Sequence, residues 1–338
     1  MGSLAEIERT IGEVGLSRYY RDKLAALIIK GGYLERLCKV HETCEDLEAT
    51  EELGTIYRIA RDIILLNDSS ILEYISRDEN IIGMVGMLEY DPHRSVEPGT
   101  HRSFLRDSTR FRQVVPIRDA DILAKIHQTF RLQYLKDAVL PSIADEGTLP
   151  VINTLICFNQ VQISNYVHSN RAFADELVGI IRGDSEPEKK RDVVMLLRQL
   201  CSMSRGLPPA YRAGLYHALG RPSLIPVLEY ALQARESSLQ AAGLEILMAI
   251  LEQDRALVRS HVLEQRREQH SGASLLALVI EGTQRDVGSE AQATCCEALR
   301  VLLDTLPPLA DPMRVPGAPA GSRAAERETS DFLELFYD

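Results

Sequence analysis

Along most of the chain, apolar side chains recur three and four positions apart, and no stretch shows the two-residue alternation of a strand series. Leu24, Leu27, Ile28 and Ile29 follow this spacing, as do Val193, Val194, Leu196, Leu197 and Leu200, and again Leu244, Leu247, Met248 and Leu251. Each set falls on one face of a helix, and that face must be buried against another helix. The pattern predicts roughly fifteen helices of about 10–18 residues joined by short turns. Ser70 stands three before Glu73, Ser76 three before Glu79, and Ser185 three before Glu188 with Pro187 between, so each suits an N-cap or capping box. Pro208 and Pro222 sit where helices would begin, because a first turn tolerates the missing N–H.

An internal echo points to a repeat. Ile63-Ile64-Leu65-Leu66-Asn67 through Tyr74-Ile75 aligns without gaps to Leu155-Ile156-Cys157-Phe158-Asn159 through Tyr166-Val167, 92 residues later. That offset equals two units of about 46, within the period of armadillo and HEAT repeats. A weaker echo is Met248-Ala249-Ile250-Leu251-Glu252-Gln253-Asp254. In this reading a core helix closes at an Asn, which tolerates the left-handed C-cap. The expected fold is all-α: an armadillo/HEAT-like α-solenoid, a right-handed superhelix of stacked repeats.

Two stretches interrupt the pattern. Residues 91–118, with Pro92, Pro98, Gly99 and Pro116, read as an irregular insertion holding one short helix near Phe104. Residues 307–329, with Pro307, Pro308, Pro312, Pro316 and Pro319, have the composition of a disordered loop. Ser330–Tyr337 then starts a helix with an apolar face, expected to dock back on the array. The expected organisation is one helical-repeat domain over 1–306, the loop, and a C-terminal helix at 330–338 of the same domain.

Composition narrows the function classes. A formal net charge of −11 argues against nucleic-acid binding, which depends on neutralising phosphates. The charge is unevenly placed: His41–Asp91 holds 13 acidic and 3 basic residues, Pro92–Lys136 holds 9 basic and 4 acidic. Such asymmetry fits either a partner-facing surface or ordinary solvated helix faces. No run reaches the ~20 apolar residues of a membrane span. The opening Met1-Gly2-Ser3-Leu4 lacks a secretory order, and Glu6 breaks the myristoylation pattern. Of the six cysteines, all but Cys44 lie in apolar helical segments, as buried free thiols do. The expectation is a soluble, intracellular chain in a reducing compartment.

The sequence holds little that resembles reaction chemistry. Cys38-x-x-His41-x-x-Cys44 lacks the second ligand pair that structural zinc needs, and reads as a buried Cys38 beside a helix-end His41. Cys295 and Cys296 point about 100° apart on one helix and form no redox pair. P-loop, zincin and nucleophile-elbow patterns are missing. Lys189-Lys190-Arg191 follows Glu186 and Glu188 and reads as a solvated helix face rather than a nuclear-localisation signal. No catalytic residue, cofactor or metal is expected.

One run of motifs carries a family resemblance. Ile56–Asn67 precedes Glu79–Pro92, which ends Gly86-Met87-Leu88-Glu89-Tyr90-Asp91-Pro92. His101-Arg102-Ser103-Phe104-Leu105 and Phe111–Ile117 follow, then Ile126-His127-Gln128-Thr129-Phe130-Arg131 through Asp137. In order and spacing these resemble the SMEK-type central domain of the phosphatase 4 regulatory subunit 3 family. The likeness is dense from Tyr33 to Leu140 and looser beyond, weakest between Gly206 and Arg327. It implies a non-catalytic regulatory or scaffold subunit that pairs with the phosphatase 4 catalytic subunit and regulatory subunit 2. Such a subunit directs Ser/Thr dephosphorylation to substrates in the DNA-damage response and cell cycle, in nucleus and cytoplasm. Family members carry further segments on both sides of this region.

The candidate partner-binding residues are Arg102, Arg106, Arg110, Arg112, Arg118 and Arg131, facing an acidic partner surface; some of them could instead pair with the acidic segment before them. Two other classes stay open. One is a generic armadillo-type adaptor unrelated to phosphatase, and the other is an enzyme with an unrecognised helical active site.

Overall fold

The computed structural model describes residues 2–15, 18–93, 97–107, 112–141, 143–268, 273–284, 290–304 and 322–337. Among the described residues there are seventeen α-helices and no strand, so the chain is all-α as its periodicity requires. It divides into two compact units, Met1–Ile163 and Ser164–Asp338.

The first unit contains α1 (Gly2–Gly15), α2 (Arg18–Lys30), α3 (Tyr33–Asp46), α4 (Thr50–Ile64), α5 (Ser69–Ile75) and α6 (Asp78–Leu88). It continues with α7 (Thr100–Arg106), α8 (Ala120–Tyr134) with a π-helical turn at Leu135–Val139, and the larger part of α9 (Thr148–Ser169). Among these, α4 packs on α1, α3 and α6. Leu53, Ile56, Ala60, Ile63 and Ile64 repeat at three and four and are buried. Full burial of each large aliphatic side chain stabilises by about 1.5–3 kcal/mol. Glu51 and Glu52 in its first turn and Arg61 in its last match the helix dipole. The helix closes where Asn67 turns left-handed (φ 55°).

The second unit begins with the last turns of α9, followed by α10 (Arg171–Arg182), α11 (Pro187–Ser204), α12 (Pro209–Gln233) and α13 (Ser237–Gln253). It ends with α14 (Arg255–Arg267), α15 (Leu275–Gln284), α16 (Glu290–Leu303) and α17 (Ser322–Tyr337). Here α10 packs on α12, and α11 on α13. Polar links between successive pairs carry a repeat: Ser164 to Tyr211, His168 to Gly214, Arg205 to Glu252, Arg221 to Glu264 and Arg255 to Asp304 join residues 43 to 49 apart. That is the spacing of one two-helix unit.

Several local expectations are corrected. The 92-residue echo is not a structural repeat: residues 63–75 form helix, turn, helix, whereas 155–167 run unbroken inside α9. Asn159 caps nothing and donates its amide to Gln128 Oε1 at 3.1 Å. Asp68, not Ser70, caps α5, accepting from the Ser70 and Ile71 N–H groups, because a carboxylate two residues upstream competes better for those donors. Ser76 closes α5 rather than opening α6. Pro187 does occupy the first turn of α11. Pro222 follows a break in α12 at Gly220 (φ 55°, ψ 174°), so it does begin a helical segment.

Cys44 is buried within α3, and His41 is buried in the middle of that helix rather than at its end. The C-terminal helix starts at Ser322, eight residues before the expected start, since Ala324 to Glu328 are strong helix formers. Residues 305–321, most of the expected loop, lie outside the described residues.

The tightest contact in the first unit joins α3 to α6, where a Cβ placed on Gly83 would overlap Cys38 Sγ. Helix propensity alone would make Gly83→Ala stabilising by about 1 kcal/mol. Overpacking makes it destabilising instead, by about 1–3 kcal/mol in urea unfolding, with most of the loss recovered in Gly83→Ala/Cys38→Ala. A stabilised single variant would show that the two helices do not approach so closely.

Candidate partner-binding region

Between α6 and α8, the short helix α7 is held from two sides. Glu89 follows the last turn of α6 with its side chain 0% exposed. Its carboxylate accepts from the Gly99 N–H (2.7 Å) and the Arg102 N–H (3.0 Å). Gly99 has no side chain with which to cap α7, so Glu89 supplies the anion at that helix N-terminus from another helix.

Arg102 then joins three helices. Its Nε donates to Glu89 Oε2 at 2.7 Å, while Nη1 and Nη2 donate to the two oxygens of Glu45, on α3, at 3.0 and 2.7 Å. Such fork-to-fork pairing is strong and geometrically strict. Tyr90 donates its hydroxyl to Glu45 Oε1 at 2.6 Å. The His41 ring lies edge-on to Tyr90, with centroids 5.4 Å apart, and its Nδ1 is 3.6 Å from Glu45.

The electrostatics fit holding rather than reacting. Burial opposes the Glu45 carboxylate, but hydrogen bonds from Arg102 and Tyr90, with the charges of His41 and Arg102, outweigh it and lower its pKa. Hydrogen bonding to Glu45 raises the Arg102 pKa further above an already high value. Burial and Glu45 push the Tyr90 hydroxyl up to about 12. Burial lowers the His41 pKa despite the nearby Glu45 carboxylate. The Glu45 and Tyr90 shifts run away from neutrality, opposite to what a general acid or base needs. His41 Nε2 is buried without a hydrogen-bond partner, and no cluster of three or more metal-ligating side chains occurs among the described residues.

The opposite side of α7 rests on α8. His101 Nδ1 is 2.8 Å from the Tyr134 hydroxyl, and Phe104 stacks on Tyr134 with centroids 4.3 Å apart. In turn α8 is tied to the end of α5. Gln128 Nε2 donates to Ser76 Oγ at 3.0 Å, and Arg131 Nη1 donates to the Ser76 carbonyl at 3.2 Å and pairs with Asp78.

Of the six candidate arginines, Arg102 and Arg131 therefore engage internal carboxylates, the alternative that the charge asymmetry had left open. Arg106, in the last turn of α7, and Arg112 and Arg118, in the connection, are exposed. Arg110 lies outside the described residues. Sequence reasoning gave no role to Glu45, Glu89, Tyr90 or Tyr134, although they stand in or beside the motifs that carry the family resemblance. Their signal was faint: a Glu-Tyr pair closing an apolar helix, and an excess of acid just before an excess of base.

The family described as Phosphatase 4 regulatory subunit 3 matches residues 6–338. The chain belongs to that family. An uncharacterised protein of Schizosaccharomyces pombe is 33% identical over 350 residues, covering 100% of this chain and 42% of the yeast protein. The Drosophila melanogaster serine/threonine-protein phosphatase 4 regulatory subunit 3 is 31% identical over 290 residues, 85% of this chain and 30% of the fly protein. The chain thus spans less than half the length of these relatives. No solved structure matches it. In this regulatory-subunit family member, the motifs from Glu79 to Asp137 supply Glu89, Tyr90, Arg102 and Tyr134 of the α7 clamp, and α3 supplies Glu45.

Arg102→Ala is expected to cost about 3 kcal/mol of unfolding free energy, a buried-pair loss discounted for the part-exposed Glu45. Arg102→Lys should recover little of it, because an ammonium cannot span both carboxylates. The Glu45 pKa is depressed on folding, so its contribution is complete at neutral pH and fades as pH falls through the folded-state value. Urea titrations should show a constant gap between native chain and Arg102→Ala from about pH 6 to 8, closing only below about pH 4. A gap unchanged in acid would refute the role given to the Glu45 carboxylate.

Proposed function

We propose that the chain is a non-catalytic regulatory and scaffold subunit of the phosphatase 4 complex, assembling the holoenzyme and directing Ser/Thr dephosphorylation to substrates. The observation that carries this reading is the family match, which extends over residues 6–338 of an all-helical array. The array's most developed polar cluster is built to hold a connection in place. Stacked helix pairs bury one side of each helix and leave a continuous second surface for partners. The partners of this reading are the phosphatase 4 catalytic subunit, regulatory subunit 2, and substrate or adaptor proteins. Its settings are the DNA-damage response and the cell cycle, in nucleus and cytoplasm.

Within this reading the exposed arginines of the clamped connection meet an acidic partner surface. Arg106 is carried by α7, which Arg102 fixes on one side and Phe104 on the other, and Arg112 and Arg118 are exposed further along the chain. Surface charges so placed raise encounter rates and set register more than they raise affinity.

Affinity purification of the chain from cells, with mass spectrometry and a phosphatase assay on the eluate, should recover the phosphatase 4 catalytic subunit and Ser/Thr phosphatase activity. Recovery of other proteins without phosphatase would select the generic adaptor. Arg106→Glu/Arg110→Glu should cut the captured phosphatase about tenfold at physiological salt, and less at high salt, where charges are screened. Undiminished capture would remove the arginine surface while leaving the subunit assignment standing.

A further inference from the structure

At the end of the second unit, α17 lies against α14, and one residue organises the contact. Arg259 is 6% exposed, and its guanidinium lies 5.8 Å from the centroid of the fully buried Phe332 ring. Nε and Nη2 donate to the Leu302 carbonyl at 2.9 and 2.7 Å, and Nη2 also to the Asp304 carbonyl at 2.7 Å. These acceptors close the C-terminal end of α16, where the helix dipole favours a cation. Only Nη1 turns to α17, donating to Thr329 Oγ1 at 2.9 Å. The socket is therefore oriented by α16 whether or not α17 is seated. It leaves one donor and one aromatic site for whatever helix lies there.

The seated helix fits imperfectly. Glu328 Oε1 is buried with no hydrogen-bond partner, and burial raises its pKa despite the nearby Arg259. A buried carboxylate oxygen without a partner opposes docking. Leu333, Leu335 and Phe336 are only half-buried, and Tyr337 is 80% exposed. Charge favours an acidic occupant: α14 carries four arginines and one glutamate, and Arg267 already reaches Asp331 at 4.0 Å.

From this arrangement we infer that the α14 face is a docking groove for a short acidic amphipathic helix of a partner protein, which α17 occupies in cis. The partner helix presents an aromatic residue at the place of Phe332 and a hydrogen-bond acceptor three residues before it. At the place of Glu328 it carries an uncharged residue. It thereby gains what α17 loses on burying that carboxylate, while α17 competes through the high effective concentration of a tethered segment.

A fluorescent peptide with the sequence of residues 322–337 and Glu328→Gln serves as the probe, read by anisotropy against the full chain. It should bind the Phe332→Ala chain at least tenfold more tightly than the wild-type chain, and the Arg259→Ala/Phe332→Ala chain at least tenfold more weakly than Phe332→Ala. The Glu328→Gln chain should bind it more weakly than wild type, and amide exchange over 322–337 should slow in that variant. If Phe332→Ala does not fold, the Glu328→Gln arm decides alone. Unchanged exchange and unchanged probe binding in Glu328→Gln overturn the inference. So does equal binding to wild-type and folded Phe332→Ala chains. A wild-type dimer exchanging α17 between copies would also overturn it, by assigning the groove to a second copy.

Discussion

An amphipathic helix cannot bury its own apolar face, and everything else in this molecule follows from how that burial is arranged. With no sheet among the described residues to act as a common floor, helices rely on neighbours one to three steps along the chain, α11 on α13, α10 on α12 and α4 on α1. Burial sets the stacking, and polar contacts refine it. Exposed Arg–Glu bridges between successive pairs are each worth less than about 1 kcal/mol. They recur 43 to 47 residues apart because packing has already fixed the register.

The stretch after α6 is too polar and too rich in proline to join the stacking by burial. Charge takes over there. Glu45 and Glu89 come from helices already packed together, and Arg102 closes on both from a seven-residue helix that could not persist alone. Because Arg102 is permanently charged and the Glu45 pKa is lowered by its surroundings, the link is stable across the physiological pH range. The short helix α7 is thereby given a defined place, with Arg106 exposed in its last turn.

Fold class was legible in the sequence because the three-and-four spacing is a direct imprint of helical burial. The short helix near Phe104 was legible from its flanking prolines and Gly99. The echo between residues 63–75 and 155–167 misled because two amphipathic segments can share a pattern while one is broken and the other continuous. What distinguishes them is tertiary: Asn67 turns left-handed and bonds Asp145, whereas Asn159 bonds Gln128 from within α9. Capping was misjudged where Asp68 outcompeted Ser70. The clamp was half visible, since the charge asymmetry showed that acid precedes base. Which arginine met which carboxylate depends on residues up to 57 apart in sequence, a separation that local pattern does not report.

The contact between Arg259 and Thr329 spans 70 residues, and its second half is made last. At a synthesis rate of about 5–20 residues per second, α14 exists for roughly 4–14 s before the residues that cover it. For the last 25 of those residues, roughly 1–5 s at that rate, Arg259 can already be set by the end of α16 while the aromatic site has no resident. A helix from another protein present at the ribosome meets no competitor then, and must displace one afterwards. The order in which the chain is made thus gives assembly a brief early window that the finished molecule closes.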